Sequence, residues 1–176
     1  MLSGWAGSGK DTVAKYMDTF QRLAFADKLK QDVSAETGIP IEDFHTSAKD
    51  VPRNSVTPRS LLLKHAFEAK EKDPYIYVRH VARLSKEHEN VVITDWRYKE
   101  EYAFLAANTS ARVIRIRVTR DLVPSTHPSE HDLDDEPFDY FIHNTGSMES
   151  LRASVNQMVE SFAMWNFYYD NGYLRP

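Results

Sequence analysis

The sequence has no cysteine in its 176 residues. That excludes a disulfide framework, thiolate catalysis and a cysteine-type zinc site. No apolar run approaches the length of a membrane span, and no stretch resembles a signal peptide. Internal repeats and low-complexity linkers are also missing. Basic charge is not in excess: net charge is −4 and the pI is near 6.0, which argues against non-specific binding to nucleic acid or a membrane surface. What remains is an ordinary globular composition, 41% hydrophobic and 27% charged, long enough for one domain with a sizeable core. A cytoplasmic enzyme is the default expectation.

The most informative stretch lies near the start. Gly4 to Thr12 reads GWAGSGKDT, which fits G-x-x-x-x-G-K. That spacing is the phosphate-cradling loop of nucleotide-binding proteins. Gly4, Gly7 and Gly9 let the backbone wrap a polyphosphate without Cβ clashes. Backbone N–H groups from Trp5 through Ser8 to Lys10 can point inward as an anion nest. Lys10 is placed to reach the β- and γ-phosphates, beside the positive end of the helix that follows. Asp11 stands where the motif usually has Ser or Thr, and the hydroxyl waits until Thr12. Magnesium would then be held mostly through water, with Asp11 in its outer shell. The plainer alternative is a glycine-rich turn that binds nothing. The apolar start before the loop and the amphipathic run after it favour the motif.

Further along, the pattern alternates strands and helices. Residues 10 to 19 read as a helix, and Arg22 to Ala26 (RLAFA) as a short buried strand. Asp27 can N-cap a helix that Gly38 would stop. Residues 39 to 56 are irregular and polar, with Lys49, Asp50 and Arg53. Thr57-Pro58 opens another helix with Arg59 in its first turn, and Asp73-Pro74 repeats the signal. Asn90 to Thr94 (NVVIT) is a continuous apolar strand ending in Asp95, as expected for a central parallel strand. Arg112 to Val118 and Phe138 to His143 read as two more strands. Ser147 can cap a long final helix with Met148, Leu151, Val155, Met158, Phe162, Trp165 and Tyr169 on one stripe. Those C-terminal aromatics suit core or subunit contact, so a homodimer is compatible with them. Only Met1 to Ser3 precede the loop, so a few further residues are expected upstream.

This order predicts one α/β domain over 1–176, with a parallel sheet of about five strands between helices. An acceptor-binding insertion is expected at about 39–72 and a mobile lid at about 120–137. Ligands of such sheets sit at the carboxyl ends of the strands, where the loop, Asp95 and Asn144 can share one cleft.

Candidate chemistry follows from those positions. Asp95 suits a strand-end aspartate that holds Mg²⁺ or its waters, and its alternative is a helix cap. Arg97 can reach a transferring phosphoryl or form a surface pair with Glu100 or Glu101. Arg53 and Arg59, with Lys49, suit a phosphate acceptor, although a solvated charge is the commoner fate of an arginine. Arg120 stands at the start of the lid as a further phosphate contact. In the HPSEHDLDDE run, His127, Glu130 and His131 could suggest zinc. Pro128 argues against a regular helix there and no third ligand is evident, so a lid is the better reading. Asn144 is a candidate adenine contact, or simply part of an Asn-x-Gly turn.

GWAGSGKDT, LAFADKLK, the Thr57-Pro58-Arg59 start, DPYIYVRHV, VVITDWR, PSEHDLDD and FDYFIHNTGS together resemble the deoxynucleoside monophosphate kinases of phages and large viruses. The motifs occur in that family's order and cover nearly the whole chain, although the run between the first helix and RLAFA is shorter. The resemblance implies the three-layer P-loop nucleoside monophosphate kinase fold, with ATP as co-substrate and Mg²⁺ as cofactor. It implies transfer of the γ-phosphoryl to a deoxynucleoside 5′-monophosphate, in the host cytoplasm if the chain is viral. Animal phosphomevalonate kinase is similar in layout and stands as the rival. A nucleotide-binding regulator without catalysis is the alternative from another class.

Overall fold

The structure is a computed structural model and describes residues 1–123 and 128–170. The expected alternation is present. β1 (Leu2–Ser3) leads through the glycine loop into α1 (Lys10–Tyr16). β2 (Gln21–Leu23) and α2 (Phe25–Thr37) follow. Two 3₁₀ turns, Ile41–Phe44 and Ser47–Asp50, lead to α3 (Pro58–Lys72) and α4 (Ile76–Ser85). Then come β3 (Val91–Ile93), α5 (Lys99–Asn108), β4 (Ile116–Thr119), β5 (Tyr140–His143) and α6 (Met148–Asp170).

The five strands among the described residues all pair in parallel, in two hydrogen-bonded groups, β1-β4-β5 and β2-β3. The expected single ladder of about five strands is therefore divided into three and two. The two groups nevertheless share cores. Leu2 and Val92 are buried together under α1 and α6, with Val13, Ile116, Val118 and Val155. Met1 and Ile93 lie in the other core, with Phe25 of α2, Val81 of α4 and Leu105 of α5. Adjacent strand residues thus enter opposite cores, as the two-residue period of a strand requires. Helices α1 and α6 cover one face and α2, α4 and α5 the other.

The local signals explain most boundaries. Thr57 caps α3 through a hydrogen bond from the Ser60 amide, and Pro58 fills its first position. Gly38 ends α2 with φ of 71°, a left-handed conformation suited to glycine. Ser147 accepts a hydrogen bond from the Ser150 amide at the start of α6. Leu151, Val155, Met158 and Phe162 form the buried stripe, whereas Met148 is exposed and drops out of it. Trp165 lies under the Arg112 guanidinium of the same chain.

Three expectations need correction. RLAFA is not a strand throughout: pairing stops at Leu23 and Phe25 already begins α2. Asp27 is therefore inside the helix and does not cap it. The fourth strand begins at Ile116, not Arg112. Within the segment expected to be a lid, Leu133 is only 2% exposed, in the core with Trp96 and Phe25. Residues 124–127 of that segment, with His127, lie outside the described residues.

Candidate functional site

The glycine loop sits between two buried elements. β1 is buried on both sides, and Val13 and Ala14 of α1 fix the helix against the core. The three loop glycines all have positive φ: 142° at Gly4, 82° at Gly7 and 102° at Gly9. Two of them are also required by close approach. A Cβ on Gly4 would meet the Val118 carbonyl oxygen at 2.2 Å, and one on Gly9 would meet Asn144 Nδ2 at 2.4 Å. The loop is therefore pressed between the ends of β4 and β5, as a ligand site at strand ends needs.

Asn144 is brought to the loop and tied there. Its side-chain amide donates to the Ser8 carbonyl at 2.9 Å, and its backbone N–H donates to Thr119 O at 2.8 Å. Its amide nitrogen is thus used to hold the loop to β5. Arg120, exposed, borders a small cleft with Trp5, Ser8 and Thr119. The Trp5 indole N–H and the Ser8 hydroxyl are buried and have no hydrogen-bond partner. Buried donors left unpaired are costly, so both fit a loop that takes up acceptor oxygens.

The Lys10 ammonium is folded back on the loop, donating to Gly4 O at 2.6 Å and Trp5 O at 3.0 Å. Burial first, and then the charge of Arg97, hold its pKa below the ordinary lysine value, against the pull of Glu130 and Asp11. Arg97 belongs to the same site. Its guanidinium donates to Glu130 Oε1 at 2.7 Å and Ser129 Oγ at 3.3 Å. The pairs foreseen for Arg97 with Glu100 or Glu101 do not form. Glu101 instead accepts from the backbone N–H groups of Arg97 and Tyr98, at 2.9 Å and 3.1 Å. The other Glu130 oxygen accepts from the Ala6 amide of the loop at 2.8 Å.

Asp95 takes the capping alternative. Its two oxygens accept from the Phe25 and Ala26 amides at the start of α2, each at 2.9 Å. Burial pushes its pKa up, while those two amides pull it down. Among the described residues no group of three or more acidic or histidine side chains is arranged to hold a metal. Mg²⁺ commonly keeps several waters and takes only one or two carboxylates. Asp11, exposed in the first turn of α1, fits such an ion. Thr12, half-buried, follows it.

The acceptor candidates are arranged differently. Arg53 is paired with Asp43, and Arg59 with Asp50 through two nitrogens, the longer contact being 3.2 Å. Among the described residues neither arginine contacts the glycine loop. Lys49 lies near a cluster that sequence reasoning missed. Arg22 pairs with Asp27 at 2.6 Å, Lys30 lies 3.8 Å from the same carboxylate, and His45 is 3.3 Å from Lys30. Burial first lowers the Lys30 pKa, and Arg22 and Lys49 lower it further. RLAFADKLK contained Arg22, Asp27 and Lys30, but only the fold shows that His45 and Lys49 lie near them. His131 hydrogen-bonds Asp134 at 2.7 Å and meets the Trp5 ring edge-on.

No family model matches this chain, and no curated protein matches it. No helix among the described residues is long and apolar enough to cross a membrane.

Proposed function

We propose that this chain is an ATP-dependent kinase that transfers the γ-phosphoryl to a deoxynucleoside 5′-monophosphate, forming the diphosphate. The observation that carries the reading is the loop itself: three positive-φ glycines, two unpaired buried donors and Lys10, with Arg97 one carboxylate away. Such a loop suits a polyphosphate better than any uncharged ligand.

The reaction needs positioning more than acid–base chemistry. A phosphate monoester has a second pKa of about 6, so the acceptor is largely ionised at neutral pH. The chain must bring two polyanions in line, neutralise them and exclude water. Lys10, Arg97 and the loop amides serve the donor phosphates, and Arg120 borders the same cleft. Magnesium, once bound, offsets charge on the donor phosphates, with Asp11 as its outer carboxylate. Arg53, Arg59 and Lys49 serve the acceptor, and the pairs with Asp43 and Asp50 open when it arrives.

A coupled assay of ADP release across the deoxynucleoside monophosphates, AMP and phosphomevalonate tests this. Acceptor-dependent release should be fastest with a deoxynucleotide. Release with phosphomevalonate alone would move the chain to the rival kinase. Nucleotide binding without acceptor-dependent release would make it a regulator.

A further inference from the structure

Three of the groups that the proposed function assigns to the donor phosphates, Lys10, the Ala6 amide and Arg97, already have an internal partner. Lys10 is satisfied by the carbonyls of Gly4 and Trp5. The Ala6 amide and the Arg97 guanidinium are both satisfied by one carboxylate, Glu130. That carboxylate is 7% exposed and bridges loop and arginine with both oxygens. It arrives from more than a hundred residues downstream, so no local backbone geometry forces it there.

We propose that Glu130 is a built-in anion that occupies the phosphate cradle of the resting protein and competes with a polyphosphate for it. This rests on the reading of the loop as a nucleotide site. A carboxylate and a phosphate oxygen make the same charge-assisted contacts to an amide and a guanidinium. Two anions cannot share those donors without strong repulsion.

The carboxylate is delivered by a stable support. Leu133 is buried, Asp132 accepts the Lys99 amide at 2.9 Å, and Asp134 accepts from Arg117 at 2.7 Å. Glu130 itself sits in the short 3₁₀ turn Pro128–Glu130. Its side chain can swing away while these contacts hold, so exchange needs one side chain to turn, not a segment to unfold. The polyphosphate then binds only the fraction of molecules in which the cradle is open, and its apparent affinity falls by that fraction.

Inorganic tripolyphosphate is the probe, because it has neither base nor sugar and reports on the cradle alone. Glu130→Gln keeps the shape and removes the charge. Calorimetric titration should show tripolyphosphate binding this variant about tenfold more tightly than the unaltered protein, the size of one charge-assisted bond. Glu130→Ala should gain similarly, and thermal melts establish that each variant is folded. Asp132→Asn removes an equal charge from the same segment without touching Arg97 or Ala6, and its affinity should stay near that of the unaltered protein. Unchanged or weaker binding by the folded Glu130 variants overturns the proposal while leaving the loop a phosphate site. An equal gain in Asp132→Asn also overturns it, since the effect would then be general charge. If none of these proteins binds tripolyphosphate, the phosphate-site reading fails and takes this proposal with it.

Discussion

The glycine loop and the 39–59 insertion make opposite use of charge. At the loop, contacts run between distant segments: Ala6 with Glu130, Ser8 with Asn144, Gly4 against Val118. The Glu130 carboxylate there is almost fully covered, at 7% exposed, although its partner Arg97 stays 44% exposed. In the insertion the ion pairs are short-range and open to water. Arg59 and Asp50 are each about half exposed, at 54% and 50%. Exposed pairs contribute little to stability and exchange partners easily. On the proposed function, the donor end would be a receptacle held by long-range contacts, whereas the acceptor end would be a set of charges that a ligand can re-pair.

The comparison breaks first at Lys10. Lys10→Ala should leave the fold intact and lower the turnover number by about a hundredfold or more, as loss of a charge placed on a reacting group does. Near-normal turnover would mean the receptacle is not where phosphoryl transfer occurs. Next is Gly4→Ala. Its φ of 142° and the 2.2 Å approach to the Val118 carbonyl predict a loss on the order of 3 kcal/mol in a denaturant melt. A variant as stable as the parent would show that the loop is not pinned against β4.

A smaller effect separates the two ends. Arg53→Ala and Arg59→Ala should raise the KM for the acceptor about tenfold, the value of one charge-assisted contact, and leave the KM for ATP unchanged. Stability should hardly move, because both pairs are exposed. Equal effects on the two substrates would erase the division between donor and acceptor ends.

The smallest effect concerns the floor under Arg97. Burial raises the Glu101 pKa to about 7 from 4.5, against the pull of the Arg97 and Tyr98 amides. A carboxyl with a raised folded pKa holds its proton in the folded state after the unfolded chain has lost it. Glu101 therefore costs stability progressively as pH rises from about 4.5 to about 7, and the cost is complete above that window. Glu101→Gln should remove this part of the pH dependence, seen as a flatter melting temperature between pH 5 and pH 8. An unchanged slope would assign the pH dependence to other groups.

The glycine loop was legible because its requirements are local: glycine freedom, a lysine and a helix start in one run of residues. Gly38, Thr57-Pro58 and Ser147 were legible for the same reason. The failures are tertiary. Asp95 reads as a metal carboxylate with a cap as its alternative, and only the fold shows that α2 begins at Phe25 and offers it two amides. Glu130 gave no hint of the Ala6 amide, because that contact joins distant parts of the chain. Asn144 read as a turn or a base contact, and its bond to the Ser8 carbonyl depends on β5 lying beside β4. The RLAFA strand was read too long because an apolar run has no period that distinguishes a buried strand from the first turn of a helix.

Transfer of labelled γ-phosphate from ATP to a deoxynucleoside monophosphate tests the central claim most directly, measured on the unaltered protein beside Lys10→Ala. The account predicts labelled deoxynucleoside diphosphate from the first, dependent on both Mg²⁺ and the acceptor, and essentially none from the second. ATP bound by the folded protein with no label reaching any deoxynucleotide would contradict it.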